Sequence, residues 1–210
     1  MNSYSQCGQD LFVHNLMKGQ SGTFLDLGCF LPFKINNTYL LELNGWTGIS
    51  LDIKDYSKEW SARKNKFVQT DCLTEDYNVL LPQHYESKLI DYLTLDMEAC
   101  GDRFKLLSKI MDTDYEFKII TIEHDSYLGS HFINQEKIPQ RKLLESKGYK
   151  LICSDIAQIH APFSYFEDWW INPKYIDESD YSKWISSTTT CGNIFKKLGI
   201  PYTIDPVSLK

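Results

Sequence analysis

The chain has 210 residues, 42% hydrophobic and 24% charged, with a formal net charge of −6 at neutral pH. That length is one medium domain, able to bury a full core without staples. The acidic balance, with no basic run longer than Lys196-Lys197, supplies no face for a phosphate backbone, so no nucleic-acid partner is expected.

Phe12, Val13, Leu16 and Met17 recur at helical spacing, which predicts an opening helix over 5–18, punctuated by Gly19 and Gly22. TFLDLGCF follows as a first strand, and NTYLLELN (37–44) as a helix closed by Gly45. WTGISLDI (46–53) reads as the second strand, DYSKEWSARKN as a helix and KFVQTD (66–71) as the third strand. TEDYNVLL is a short helix stopped by Pro82, and LIDYLTLDME (89–98) a fourth strand. DRFKLLSKIM is helical, with Phe104, Leu107, Ile110 and Met111 on one face. FKIITIE is the fifth strand, 134–147 a polar helix ending at Gly148, YKLICSD the sixth strand and SYFEDWWIN the seventh. The tail from about 185 shows no clear element. Continuous apolar strands alternating with helices predict a mostly parallel, doubly wound α/β sheet covered on both faces. No repeat or linker divides the chain, so 1–210 is taken as a single domain.

Six cysteines stand at 7, 29, 72, 100, 153 and 191, none at CxxC spacing. They fall in or beside apolar segments, as small buried thiols do, so reduced cysteines and a cytoplasmic setting are expected. The opening MNSYSQCGQD has neither the basic nor the apolar region of a signal peptide, and no apolar run is long enough for a membrane span. Asn36-Asn37-Thr38 matches a glycosylation sequon, which is idle in that setting.

Five successive strands end in acid: Asp26-Leu27-Gly28, Asp52, Asp71, Asp96-Met97-Glu98 and Glu123-His124-Asp125. One such acid is commonly a helix cap. Five on the edge where α/β sheets bind ligands suggest a site. Gly28 admits close backbone approach, and Asp52, about 24 residues later, is where a dinucleotide fold keeps its ribose acid. The further glycines of a pyrophosphate cradle are missing, so a nucleoside without phosphates fits better, S-adenosylmethionine (SAM) being one.

YSQCGQD (4–10), GTFLDLGCFLP (22–32) and NNTYLLELNGWTGISLDI (36–53) resemble the opening of the FkbM family of SAM-dependent methyltransferases. YLTLDME, ITIEHDSY and FEDWWINP continue the resemblance to about residue 173. It implies a class I methyltransferase fold, a Rossmann-like, doubly wound, mostly parallel seven-stranded sheet with the last strand antiparallel. Residues 22–173 would form the core, 1–20 a helix closing over the cofactor and 174–210 a C-terminal extension. Asp26 and Gly28 would lie beneath the methionine part of SAM, Asp52 on the ribose and Asp71-Cys72 beside the adenine, with Gln6, Asn37 and Thr38 closing over it. The family's usual Ala after the first Gly is Cys29 here.

Three arrangements of the remaining acids are open. In one, Asp96, Glu123 and His124 hold Mg²⁺ or Mn²⁺, similar to metal-dependent O-methyltransferases. The metal would bind two vicinal oxygens of the acceptor, with Glu98 or Asp125 as general base. In the second, His124 takes the proton directly, oriented by Asp96, Glu98 or Glu123. In the third, the acids are caps or ion pairs. Trp169 and Trp170 face opposite ways on a strand; both are core, or one stacks on a sugar ring. His131, His160 and Tyr165 are further candidates for an acceptor pocket. The expected activity is methyl transfer from SAM to a hydroxyl of a sugar or other hydroxylated small molecule, such as a deoxyhexose in a glycan. The rivals are an NAD-dependent oxidoreductase on the same fold and an inactive SAM-binding module.

Overall fold

The apolar runs of the sequence become adjacent strands in the computed structural model, which describes residues 1–98 and 102–200; Cys100 and the last ten residues lie outside it. In chain order the strands are β1 (Thr23–Leu27), β2 (Thr47–Asp52), β3 (Lys66–Gln69), β4 (Leu89–Leu95), β5 (Glu116–Glu123), β6 (Lys150–Gln158), β7 (Ala161–Ile171) and β8 (Ser186–Thr190). They form one sheet in the order β3-β2-β1-β4-β5-β7-β6-β8. Only β7 runs against its neighbours, β5 and β6; all other described pairs are parallel. The expected doubly wound sheet is therefore present, with its antiparallel strand. The expected count of seven is corrected to eight, because the SSTTT segment of the tail pairs with β6. That strand is polar and lies at the sheet edge, so no apolar run announces it.

The helices are α1 (Gln9–Leu16), α2 (Tyr39–Leu43), α3 (Ser57–Trp60), α4 (Tyr77–Leu80), α5 (Arg103–Met111), α6 (Ser130–Phe132), α7 (Ile138–Ser146), α8 (Glu178–Tyr181) and α9 (Cys191–Leu198). The opening helix starts four residues later than its periodicity predicts, at Gln9. Gly8 there has φ +82°, and a Cβ would lie 2.8 Å from Leu198, so the chain turns with a glycine before the helix begins. Residues 3–5 fold back over α1. The hydroxyls of Ser3 and Ser5 and the backbone N–H of Tyr4 and Leu11 all donate to the buried Asp10 carboxylate. A π-helical stretch (Ile133–Lys137) joins α6 to α7.

Two apolar cores cover the faces of the sheet. Trp170 packs with Leu25, Leu93 and Ile120 on one face; Trp169 packs with Phe12, Ile119 and Phe166 on the other. Both indoles are fully buried, so the alternation of the strand puts one in each core and neither serves as a wall for a sugar.

Cys7 and Cys191 form a disulfide that ties the N-terminal segment to the start of α9, Cα–Cα 4.6 Å. This corrects the expectation of six reduced thiols, and the compartment inferred from it loses its basis. Cys29, Cys72 and Cys153 are buried free thiols, as expected. Among the described residues no helix is long and apolar enough to cross a membrane.

Candidate active site

The sheet order reverses between β1 and β4, and a cavity of about 620 Å³ opens at that crevice. One end is lined by Gly28, Asp52, Asp71 and Cys72, the other by Asp96, Arg103, Glu123 and Asp125, with Gln6 over it from the N-terminal segment. Elements far apart in sequence meet here because parallel strands all present their carboxyl ends to the same edge.

At the first end, Gly28 has φ +81°, and a Cβ on it would fall 2.2 Å from the carbonyl oxygen of Asp96. The backbone N–H groups of Gly28 and Cys29 both donate to Leu51 O, at 2.9 and 3.1 Å, which pins the turn. Asp52, at the tip of β2, accepts from the backbone N–H of Phe30 and of Lys54, each at 2.9 Å. Its carboxylate is thus fixed in place while still lining the cavity. Asp71 accepts from Leu73 N–H at 2.9 Å. Burial pushes the Cys72 thiol up to about 12, so it stays protonated and contributes an apolar wall.

Asp26, Asn37 and Thr38 do not line this cavity; they form the layer beneath it. The hydroxyls of Thr38 and Ser50 donate to Asp26 Oδ2 at 3.0 and 3.1 Å. Asn37 donates to the Thr94 hydroxyl at 2.9 Å. Burial lifts the Asp26 carboxyl to about 7 despite those hydrogen bonds.

The other end is organised by Arg103, the first residue of α5, whose side chain is fully buried. Its Nη2 donates to Glu123 Oε2 at 3.2 Å and Asp125 Oδ2 at 2.5 Å, and its Nε to Met97 O at 2.9 Å. Asp96 and Glu123 hydrogen-bond to each other, and burial raises both carboxyls above the usual range; for Glu123 the neighbouring Asp96 charge adds to it. Two carboxyls this close disfavour ionising together, which raises the proton affinity of the pair. Gln140 of α7 donates to Glu123 O at 3.2 Å and to Glu136 of the π stretch at 3.0 Å, which braces the strand end. Glu98 is exposed on the cavity rim and paired with Lys54 Nζ at 2.7 Å.

His124 does not join this group. It is fully buried and outside the cavity lining. Its Nδ1 accepts the backbone N–H of Ser126 at 3.1 Å, and its Nε2 faces Asp168 at 3.5 Å and Asp155 at 4.0 Å. With Nδ1 engaged as an acceptor, Nε2 carries the hydrogen, leaving no lone pair for a metal or a substrate proton. Lys137 and Arg141 already neutralise the two aspartates. Burial alone would raise Asp168, but His124 and Arg141 hold it well below the usual carboxylate range. Among the described residues, the metal-capable ligand atoms that gather within 4.8 Å are those of His124, Asp155 and Asp168, not the expected Asp96, Glu123 and His124. The expected metal set does not fit, since its imidazole points elsewhere and the Arg103 guanidinium sits against Glu123. His131, His160 and Tyr165 also lie outside the cavity lining.

Arg103, Tyr127, Gln158 and Phe166 also line the cavity and were not named as site residues from the sequence. Arg103 had a signal: buried acids at strand ends need a cation, and an Arg opens the helix that follows β4. Tyr127 and Phe166 stand in the ITIEHDSY and FEDWWINP segments that carry the resemblance; Gln158 had no signal.

No family model and no curated protein matches the chain. Solved structures do. A DUF574 family protein from Streptomyces avermitilis matches with TM-score 0.53 and 12% identity over 79% of this chain and 80% of that one. The bifunctional kinase-methyltransferase WbdD matches with TM-score 0.51 and 16% identity, covering 78% of this chain and 37% of that one. A protein provisionally described as an rRNA methylase from Clostridium thermocellum matches with TM-score 0.50 and 13% identity over 81% and 99%. At these identities the likeness is one of fold, the α/β Rossmann-like fold of class I methyltransferases.

Proposed function

We propose that this chain is a SAM-dependent O-methyltransferase whose acceptor is a hydroxyl of a sugar. The observation that carries it is one continuous cavity at the switch point of a methyltransferase fold. That cavity has a glycine cradle and two fixed acids at one end and two carboxyls of raised proton affinity at the other.

Gly28, whose missing Cβ lets the β1 turn press against the Asp96 backbone, lines the cavity and would lie beneath the cofactor's amino-acid part. Asp52 would accept from the ribose hydroxyls and Asp71 would lie beside the base, with the apolar Cys72 wall behind it. Gln6 would close over them. Bound SAM would supply an electrophilic methyl carbon, with S-adenosylhomocysteine (SAH) as the departing product.

The chain's own residues supply position and a proton acceptor. Asp96, whose backbone abuts Gly28, lines the cavity, and its elevated proton affinity suits its carboxyl to take the acceptor's proton as the oxygen becomes an ether. Arg103 fixes Glu123 and Asp125. Most of the rate gain would come from alignment of the acceptor oxygen. An acid-rich end opposes phosphorylated backbones and favours neutral polyols, whose hydroxyls donate to carboxylates; Tyr127 adds an exposed ring at the mouth.

The test is calorimetric SAH binding, in Mn²⁺ and in EDTA, followed by methyl transfer to a panel of glycosides. Micromolar SAH binding and turnover that persists in EDTA are expected. Absence of SAH binding in both conditions refutes the cofactor assignment.

A further inference from the structure

Asp125 has φ +45° and ψ +38°, in the left-handed region that disfavours a residue with a side chain. The conformation is imposed by its surroundings. The backbone N–H groups of His124 and Asp125 both donate to the carbonyl oxygen of Phe166, at 2.6 and 3.1 Å. The fully buried Arg103 holds the Asp125 Oδ2 at 2.5 Å. The carboxylate lines the cavity, and its Oδ1 is not used by that pair. The same guanidinium has a second signature. Its Nη1 is buried and has no hydrogen-bond partner among the described residues, an exception to the rule that buried donors are paired. A strained acceptor and an orphaned donor thus belong to one ion pair, both of whose residues line the cavity.

We infer that the Arg103–Asp125 pair is the specificity element of this site and reads the hydroxyl adjacent to the one methylated, so that the acceptor class is a vicinal diol. A hydroxyl both donates and accepts, as does this pair: Asp125 takes the hydrogen and Arg103 gives one to the oxygen. The Asp96–Glu123 pair, bridged to it by the same guanidinium, is left for the reacting hydroxyl. Fixing two neighbouring oxygens orients a sugar ring in a way that one contact cannot, which is the service the expected metal would have rendered. A site built to hydrogen-bond a hydroxyl discriminates strongly against the analogue lacking it, because its own polar groups are then left unpaired. This rests on the sugar-methyltransferase reading above.

The experiment uses the full chain with SAM and a methyl glycoside that it methylates. Product NMR establishes the methylated position, and analogues lacking either flanking hydroxyl are compared with the parent by kcat/KM. Wild type is expected to prefer the parent over one analogue by at least about tenfold. In Asp125→Gly, where the residue no longer strains the backbone, that preference should fall to within about threefold while SAH affinity is unchanged. Asp125→Asn, which also tolerates the left-handed backbone and keeps an oxygen but no charge, should lower the preference measurably if the glycine variant does not fold. Equal kcat/KM for the parent and both analogues in wild type overturns the inference, as does a preference undiminished in the Asp125 variants. Wild type that binds SAH but methylates no glycoside is a different failure. It refutes the sugar acceptor itself, before any variant is made, and removes this inference with it.

Discussion

A Cβ on Gly28 would stand 2.2 Å from the carbonyl oxygen of Asp96. The first strand's turn and the fourth strand's end are therefore in backbone contact, and the two ends of the cavity share one wall. Gly28→Ala meets both this clash and the φ of +81°. A loss of at least about 1–3 kcal/mol of stability is expected, together with SAH binding too weak to detect. A melting curve and a calorimetric titration check it; an alanine variant that binds SAH normally would show the cradle is not the cofactor site.

Asp52 is held by two backbone N–H donors and lines the cavity. Asp52→Asn keeps an oxygen for one of them but loses the charge. Charge-assisted hydrogen bonds contribute about 1.5–3 kcal/mol, so SAH affinity should fall roughly ten- to hundredfold with little change in the far-UV spectrum. Unaltered affinity would exclude Asp52 as the ribose acid.

Asp96→Asn should lower kcat by about 10²- to 10⁴-fold, the range of general-base effects, with SAH affinity preserved. His124→Gln should instead act on stability, since that imidazole is sealed against β6 and β7, and leave kcat within about tenfold. The reverse pattern in steady-state kinetics would restore His124 as the base.

Asp26 is buried and its carboxyl is lifted to about 7. A folded-state value above the unfolded one means that the native state binds the extra proton. Stability from this group is full below about pH 4 and is lost as pH rises toward 7. Asp26→Asn removes that loss. Its stability relative to wild type should therefore improve steadily between pH 4 and 7, read from urea unfolding at each pH. A pH-independent difference would show that Asp26 ionises normally.

The Cys7–Cys191 disulfide lies one residue from Gln6 at the cavity mouth and joins residues 184 apart in sequence. Closing a loop of that length stabilises by a few kcal/mol in the chain-entropy view. Cys191→Ser should lower the melting temperature and weaken SAH binding several-fold. Peptide mapping without reductant should recover the linked pair.

The sequence by itself determined the class of fold and the edge of the site. Apolar runs bounded by helices dictate a parallel sheet, and in such a sheet every strand end faces one crevice, so Asp52, Asp71, Asp96 and Glu123 were legible there. The glycine after β1 was legible too, because only a glycine meets the positive φ and the close approach to β4. Tertiary structure decided which acids share a neighbour. Glu123 and His124 are adjacent in sequence, but successive residues at a strand end point to opposite sides. One therefore faces Arg103 and the cavity while the other meets Asp155 and Asp168. The partnership of Arg103 with β5, the pairing of a polar SSTTT strand with β6 and the bridge from Cys7 to Cys191 all join segments far apart in the chain. No local periodicity records such contacts; they arise when the sheet brings its strand ends and its tail together.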